Sequence, residues 1–264
     1  EWRRLDEMHP SILSEAYKRD YTPFLLGLKG AESLTHYFGM QQIRPQLTAK
    51  QAVFVISPQG FVKDGQVSGA FNAYYASDQG YNFLKYSTGS DEDKYAAKRF
   101  LDLMPESPIN HFMKKIADGK HLSTMDKWQI KLAQRLVSRE DNLFAGMQFG
   151  DNYQDKVVPR ASKLPQPYNL QNLHTQAEQL GQAHTNNNEF GILNSFNSQR
   201  IEHKLGKLKD SQTNFSYLKS PEYNDFQLIL SEFAKNQTDV MFVIPPVNEK
   251  WQTYTGLSPE MYAK

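Results

Sequence analysis

Two carboxamides stand just beyond two apolar runs, each behind proline. Ala52-Val-Phe-Val-Ile-Ser57-Pro58 leads into Gln59, and Asp239-Val-Met-Phe-Val-Ile244-Pro245-Pro246-Val247 leads into Asn248. An amide side chain can donate a hydrogen bond to an oxyanion as it forms, and a backbone N–H is the usual second donor. Gly30 offers that N–H, in a glycine loop (Gly27-Leu-Lys-Gly30) that follows another apolar run, Pro23-Phe-Leu-Leu. Such a pair would serve acyl transfer. Each residue also has a plainer reading. Gln59 could be a loop-capping amide, and Asn248 either lines the pocket rim or stabilises the turn after the proline pair. Ser33 could sit on that rim or cap a helix. His36 lies close to Gly30 in sequence, but nothing in the pattern makes it a base. No GxSxG nucleophile motif occurs anywhere.

Other chemistries find less support. There is no GxGxxG or Walker lysine loop, which leaves nucleotide binding without a motif. The seven histidines are scattered, with no HExxH or HxH pair, so no metal or other cofactor is expected. Absence of cysteine removes thiolate catalysis and disulfides, and fits an extracytoplasmic bacterial protein. A net charge of +1 gives no electrostatic case for nucleic acid or for an anionic membrane surface. No stretch approaches the ~18 apolar residues of a membrane span, and no signal peptide is visible. The chain opens on Glu1-Trp2-Arg3-Arg4-Leu5 as if inside an element, and reads as a fragment. Trp2, Trp128 and Trp251, with Tyr74 and Tyr75, would form either a polyol-stacking surface or core packing.

Positioning Gly30 and Gln59 on one rim is the task of the surrounding elements. The run 52–57 reads as a strand buried on both faces, because continuous β-branched and aromatic residues end at a proline that cannot donate to a ladder. Residues 239–244 repeat the pattern, and 23–27 give a further short strand. The two proline-stopped strands are expected to lie side by side, with ligands in the crevice beyond their carboxyl ends. Helical spacing appears over 10–18 and 34–40, and residues 60–89 read as an irregular excursion. From Ser90 a capping box opens a helix carrying Ala97, Phe100, Leu101 and Met104. Further helices follow over 110–117, from Ser123 (with Met125, Trp128, Leu132 and Leu136 aligned), and over 170–184. A helix also starts at Ser220-Pro221, with Phe226, Ile229, Leu230 and Phe233 facing the core. This gives an α/β core over 1–89 and 216–264, interrupted by a mainly helical insertion or lid over 90–215.

Several stretches carry a family resemblance. Leu5-Asp-Glu-Met-His-Pro-Ser11, Tyr21-Thr-Pro-Phe-Leu-Leu-Gly27, Val55-Ile-Ser-Pro-Gln59, His184-Thr-Asn-Asn-Asn-Glu-Phe-Gly-Ile192 and Asp239-Val-Met-Phe-Val-Ile-Pro-Pro-Val-Asn-Glu-Lys-Trp251 closely resemble the DltD family. That resemblance implies a three-layer α/β/α SGNH-hydrolase-like fold and serine acyl transfer of D-alanine to lipoteichoic acid, outside the cell of a Gram-positive bacterium. The family's nucleophile lies in Gly-Ser-Ser-Glu. Matching Glu1 to that glutamate puts the serine just before residue 1, and the Asp-x-x-His block falls beyond Lys264. Gly30 then matches the family's second-block glycine, and Gln59 stands where SGNH enzymes usually carry asparagine. The resemblance also implies a D-alanyl donor, either a carrier protein or a membrane acyltransferase of the same pathway, and a membrane anchor absent from this chain. A non-catalytic docking module and a general carbohydrate O-esterase remain the rival readings.

Overall fold

The computed structural model describes residues 9–27, 29–145 and 153–263. Trp2 and the expectations attached to residues 1–8 lie outside the described residues. The elements used below are, in chain order, α1 (Pro10–Ala16), α2 (Ser33–Gln42), β1 (Gln51–Val55), α3 (Ser68–Tyr74), α4 (Ser77–Tyr86), α5 (Asp91–Leu103), α6 (Asn110–Ala117), α7 (Thr124–Ala145), α8 (Leu170–His184), α9 (Glu222–Lys235), β2 (Asp239–Val243) and α10 (Glu249–Thr255). They form two compact units, one over 29–145 and 216–246, the other over 9–27, 153–215 and 247–263.

The first unit holds both strands. β1 and β2 pair in parallel, from Gln51 opposite Asp239 to Val55 opposite Val243, and Ile56 N–H to Val243 O (2.8 Å) adds one further rung. Proline stops both strands, as their sequences imply, because neither Pro58 nor Pro245 can continue the ladder. Burial on both faces is not what the strands show. Ala52, Phe54 and Val240 pack against the core, whereas Val53 and Met241 are 65% and 64% exposed on the other side. Strand side chains alternate between faces, and helices cover only one face of this pair among the described residues. The architecture is thus mixed α/β, mostly helical, with a small parallel sheet.

The core that backs the sheet is aromatic. Phe38 of α2 is fully buried, with ring centroids 5.6 Å from Phe71, 5.4 Å from Phe83 and 5.3 Å from Phe100. Phe54 of β1 meets Phe226 and Phe233 of α9 at 6.0 and 6.1 Å. A buried ion pair ties α5 to α9: Arg99 donates to both oxygens of Asp225, and the Tyr95 hydroxyl adds a third bond at 2.8 Å. The Ser90–Asp93 capping box forms as the sequence indicates, with Asp93 N–H to Ser90 Oγ at 3.2 Å and Ser90 N–H to Asp93 Oδ2 at 3.2 Å.

Two sequence expectations are corrected here, and a third is completed. Residues 21–27 form no strand, and Phe24, Leu25 and Leu26 are exposed; a five-residue apolar run stays irregular without a neighbour to complete its ladder. The stretch 60–89 is not irregular throughout, since it contains α3 and α4, nailed down by the buried Phe71, Phe83 and Leu84. On α7, the aligned Met125, Trp128, Leu132 and Leu136 face solvent, and among the residues whose burial is described Asp126 and Ile130 are the buried ones.

The second unit packs Ile12 of α1 and Leu173 of α8 with Val157, Ala161 and Leu164. Its loop at 185–194 closes on itself through asparagines. Asn188 bonds Ile192 at both N–H and carbonyl (2.9 and 2.6 Å), and Asn187 N–H donates to Asn194 Oδ1 at 3.0 Å.

Candidate active site

Where β1 runs out, Ser57 is still extended and Pro58–Gly60 makes one tight turn that presents Gln59. The Gln59 side chain is exposed and makes no hydrogen bond to another described residue. Its capping role is therefore not realised. Gly60 behind it is buried, and a Cβ there would meet the Glu32 carboxylate, which would have to swing away. That contact sets the Gln59 turn against the Glu32 side chain, two residues after Gly30 in sequence. Gly30 is exposed with φ +75°, a left-handed conformation that glycine adopts at no steric cost.

The loop is held by a residue that sequence reasoning passed over. Gln66, 1% exposed, accepts from Glu32 N–H and Thr35 Oγ1, both at 2.7 Å, and donates to the Gly30 carbonyl at 3.1 Å. It thus fixes the Gly30 peptide to the start of α2. Its only sequence signal was a lone amide in a Gly- and Ser-rich stretch.

Ser33 is buried at the first position of α2 and is not its capping residue. The Glu32 side chain makes no cap bond. Instead the Glu222 carboxylate, at the start of α9, accepts from Ser33 N–H at 2.7 Å. A carboxylate there also complements the positive end of the α2 dipole. Even so, burial pushes the Glu222 carboxyl up to about 8, against the opposing hydrogen bonds from Ser33. Burial likewise raises Glu32 above its ordinary range. A carboxyl biased toward its neutral form weakens the repulsion it would exert on negative charge developing beside it. His36 moves the other way: burial lowers its pKa, and its ring stands edge-on to Phe54 at 5.7 Å. It is packed against the sheet.

Asn248 belongs to the second unit. Its Oδ1 accepts from Trp251 N–H at 2.9 Å, capping α10, and its Nδ2 donates to Phe190 O at 2.7 Å. Both ends of this amide are committed to structure. The aromatics divide in the same manner: Tyr75 stacks on Phe71 and meets Phe100, Trp251 packs on Phe190 and Tyr254, and Trp128 is exposed. Among the described residues no group of three or more His, Cys, Asp or Glu could hold a metal ion, and no helix is long and apolar enough to cross a membrane.

Comparison with known proteins is consistent along the chain. A family model described as DltD protein matches residues 1–264. Over 97% of its length the chain is 38% identical to Protein DltD of Lacticaseibacillus rhamnosus, covering 62% of that protein. Against Protein DltD of Bacillus subtilis (strain 168) it is 28% identical, covering 97% of this chain and 65% of the relative. Protein DltD of Staphylococcus aureus (strain NCTC 8325 / PS 47) is 23% identical, with 97% of this chain and 63% of the relative covered. The chain spans just under two thirds of the length of these curated relatives.

Proposed function

The chain belongs to the DltD family, and on that premise we propose that it carries the oxyanion-binding part of a serine acyltransferase that places D-alanine on lipoteichoic acid in the Gram-positive cell envelope. A serine Oγ attacks the carbonyl of a D-alanyl donor, and negative charge gathers on the carbonyl oxygen. Gly30 N–H and Gln59 Nε2–H donate to that oxygen. Collapse expels the donor group and leaves a seryl ester; a polyol hydroxyl of lipoteichoic acid then attacks the ester, and the serine regains its proton. The donor is a D-alanyl carrier protein or a membrane acyltransferase of the same pathway. This chain's part in that reaction is to supply the donors. The uncovered apolar face of the β1–β2 pair supports a larger SGNH-type parallel sheet, with a further layer over Val53 and Met241.

One observation supports the reading: beyond a parallel strand pair, an exposed and uncommitted amide stands on the turn whose Gly60 lies against Glu32, two residues after the left-handed Gly30. Losing one such donor typically costs ~10²–10³ in rate. In the protein at its relatives' full length, Gln59→Ala should cut D-alanyl esterification of lipoteichoic acid by about that factor, with an unchanged melting temperature. Wild-type esterification by a folded Gln59→Ala protein would refute the role.

A further inference from the structure

The net charge of +1 conceals a local concentration. On α7, Lys127, Lys131, Arg135 and Arg139 recur every fourth residue and line one wall of a cleft of about 930 Å³. Lys85 and Lys120 line it too, and no carboxylate does. Lys120 is paired with Asp118 at 3.3 Å, whereas the four α7 cations form no ion pair among the described residues. At 1.5 Å per residue their row is ~18 Å long.

A second, independent feature runs alongside it. Met125, Trp128, Leu132 and Leu136 are 63, 60, 44 and 59% exposed. At 100° per residue they form an apolar row next to the cationic one, turned away from the side that buries Asp126 and Ile130. A helix held by its inner side and offering solvent a basic strip beside an apolar strip with tryptophan has the make-up of interfacial helices.

We propose that this face of α7 docks on an anionic phospholipid surface, the apolar row entering the headgroup boundary and the cations of the cleft taking lipid phosphates. A soluble polyphosphate chain would satisfy the cations but leave four large apolar side chains in water. A bilayer engages both rows. The site shares no residue with the acyl-transfer pocket and does not depend on that reading.

Co-sedimentation of the purified chain with vesicles tests it. Binding is expected to phosphatidylglycerol-containing vesicles and not to pure phosphatidylcholine, and to weaken steeply in 0.5 M salt, because surface attraction decays within a Debye length. The double variant Lys131→Glu/Arg135→Glu should bind at least ~10-fold more weakly, and Leu132→Ser/Leu136→Ser should weaken binding similarly. All four positions are exposed, so the variants should keep the wild-type melting curve; Lys131→Gln/Arg135→Gln replaces the charge reversal if that one fails to fold. Brominated lipid should quench the tryptophan fluorescence, and Trp128→Phe should abolish most of the quenching. The proposal is overturned by failure to bind phosphatidylglycerol vesicles, by binding that ignores both double variants, or by cation-dependent capture of soluble polyphosphate without vesicle binding.

Discussion

Gln59 and Asn248 look alike in sequence, each a carboxamide set after a proline-stopped apolar strand, yet the structure uses them in opposite ways. Asn248 spends both ends of its amide on its own unit, capping α10 and holding the Phe190 carbonyl. Gln59 spends neither. A polar side chain fully engaged by its own chain has nothing left for a substrate, whereas an amide exposed on a tight turn retains its donors. Hydrogen-bond accounting therefore separates two residues that spacing could not. Gln66 sharpens the contrast, as a third amide, wholly buried, committed to shaping the glycine loop.

The largest expected effect is catalytic. Gln59→Ala should lower esterification by ~10²–10³ while changing stability by no more than ~0.5 kcal/mol, as for any surface truncation; equal losses of rate and of folded protein would erase the distinction. Gln66→Leu should do the reverse. It removes the acceptor of Glu32 N–H and of the buried Thr35 hydroxyl, and a buried polar group left unpaired costs ~1–3 kcal/mol. A drop of ~2–4 kcal/mol in chemical denaturation is the expected reading, and a loss below ~0.5 kcal/mol would mean that the loop holds itself.

These outcomes bear on how much the sequence discloses. Both strands, their parallel pairing and their proline stops were legible, because β-branched runs and a missing N–H act locally. So were α6, α8 and the Ser90–Asp93 box. What covers each face was not legible. Alternation or helical spacing says that Val53, Met241, Trp128 and Leu132 share apolar faces, but no local rule says whether anything packs on them. Pro23–Gly27 had strand composition without an edge to join. α3 and α4 were hidden by Gly, Asn and Ser of low helix propensity, overridden by the tertiary packing of Phe71 and Phe83. Gln66 and Glu222 were invisible for another reason: their partners at Gly30 and Ser33 are distant in sequence.

Asn248→Ala comes next in size. It uncaps α10, which typically costs ~1 kcal/mol, and orphans the Phe190 carbonyl, so a total of ~1–2 kcal/mol is expected by thermal or urea unfolding. Esterification by the fraction that remains folded should be unaffected. A selective loss of rate would place Asn248 on the pocket rim and undo the contrast with Gln59.

A further effect is read in pH. Glu222 has its carboxyl raised to about 8 by burial, with Asp225 and Glu32 adding repulsion. The folded state therefore holds this proton more tightly than the unfolded chain, whose glutamate ionises near 4.5. Below that pH both states are protonated and the group's contribution is fully present. Between about 4.5 and about 8 only the unfolded state releases the proton, so stability falls as pH rises, and the fall ends once the folded form ionises too. One proton limits the slope to ~1.4 kcal/mol per pH unit. Glu222→Gln keeps a carbonyl acceptor for Ser33 N–H but cannot ionise, so its stability should be flatter than wild type from pH 5.5 to 7.5, the two curves converging at acid pH. Parallel curves would mean that Glu222 is ionised throughout, and its carboxylate would then be a charged cap on α2, leaving Glu32 beside a full negative charge at the place where the proposed reaction needs its donors.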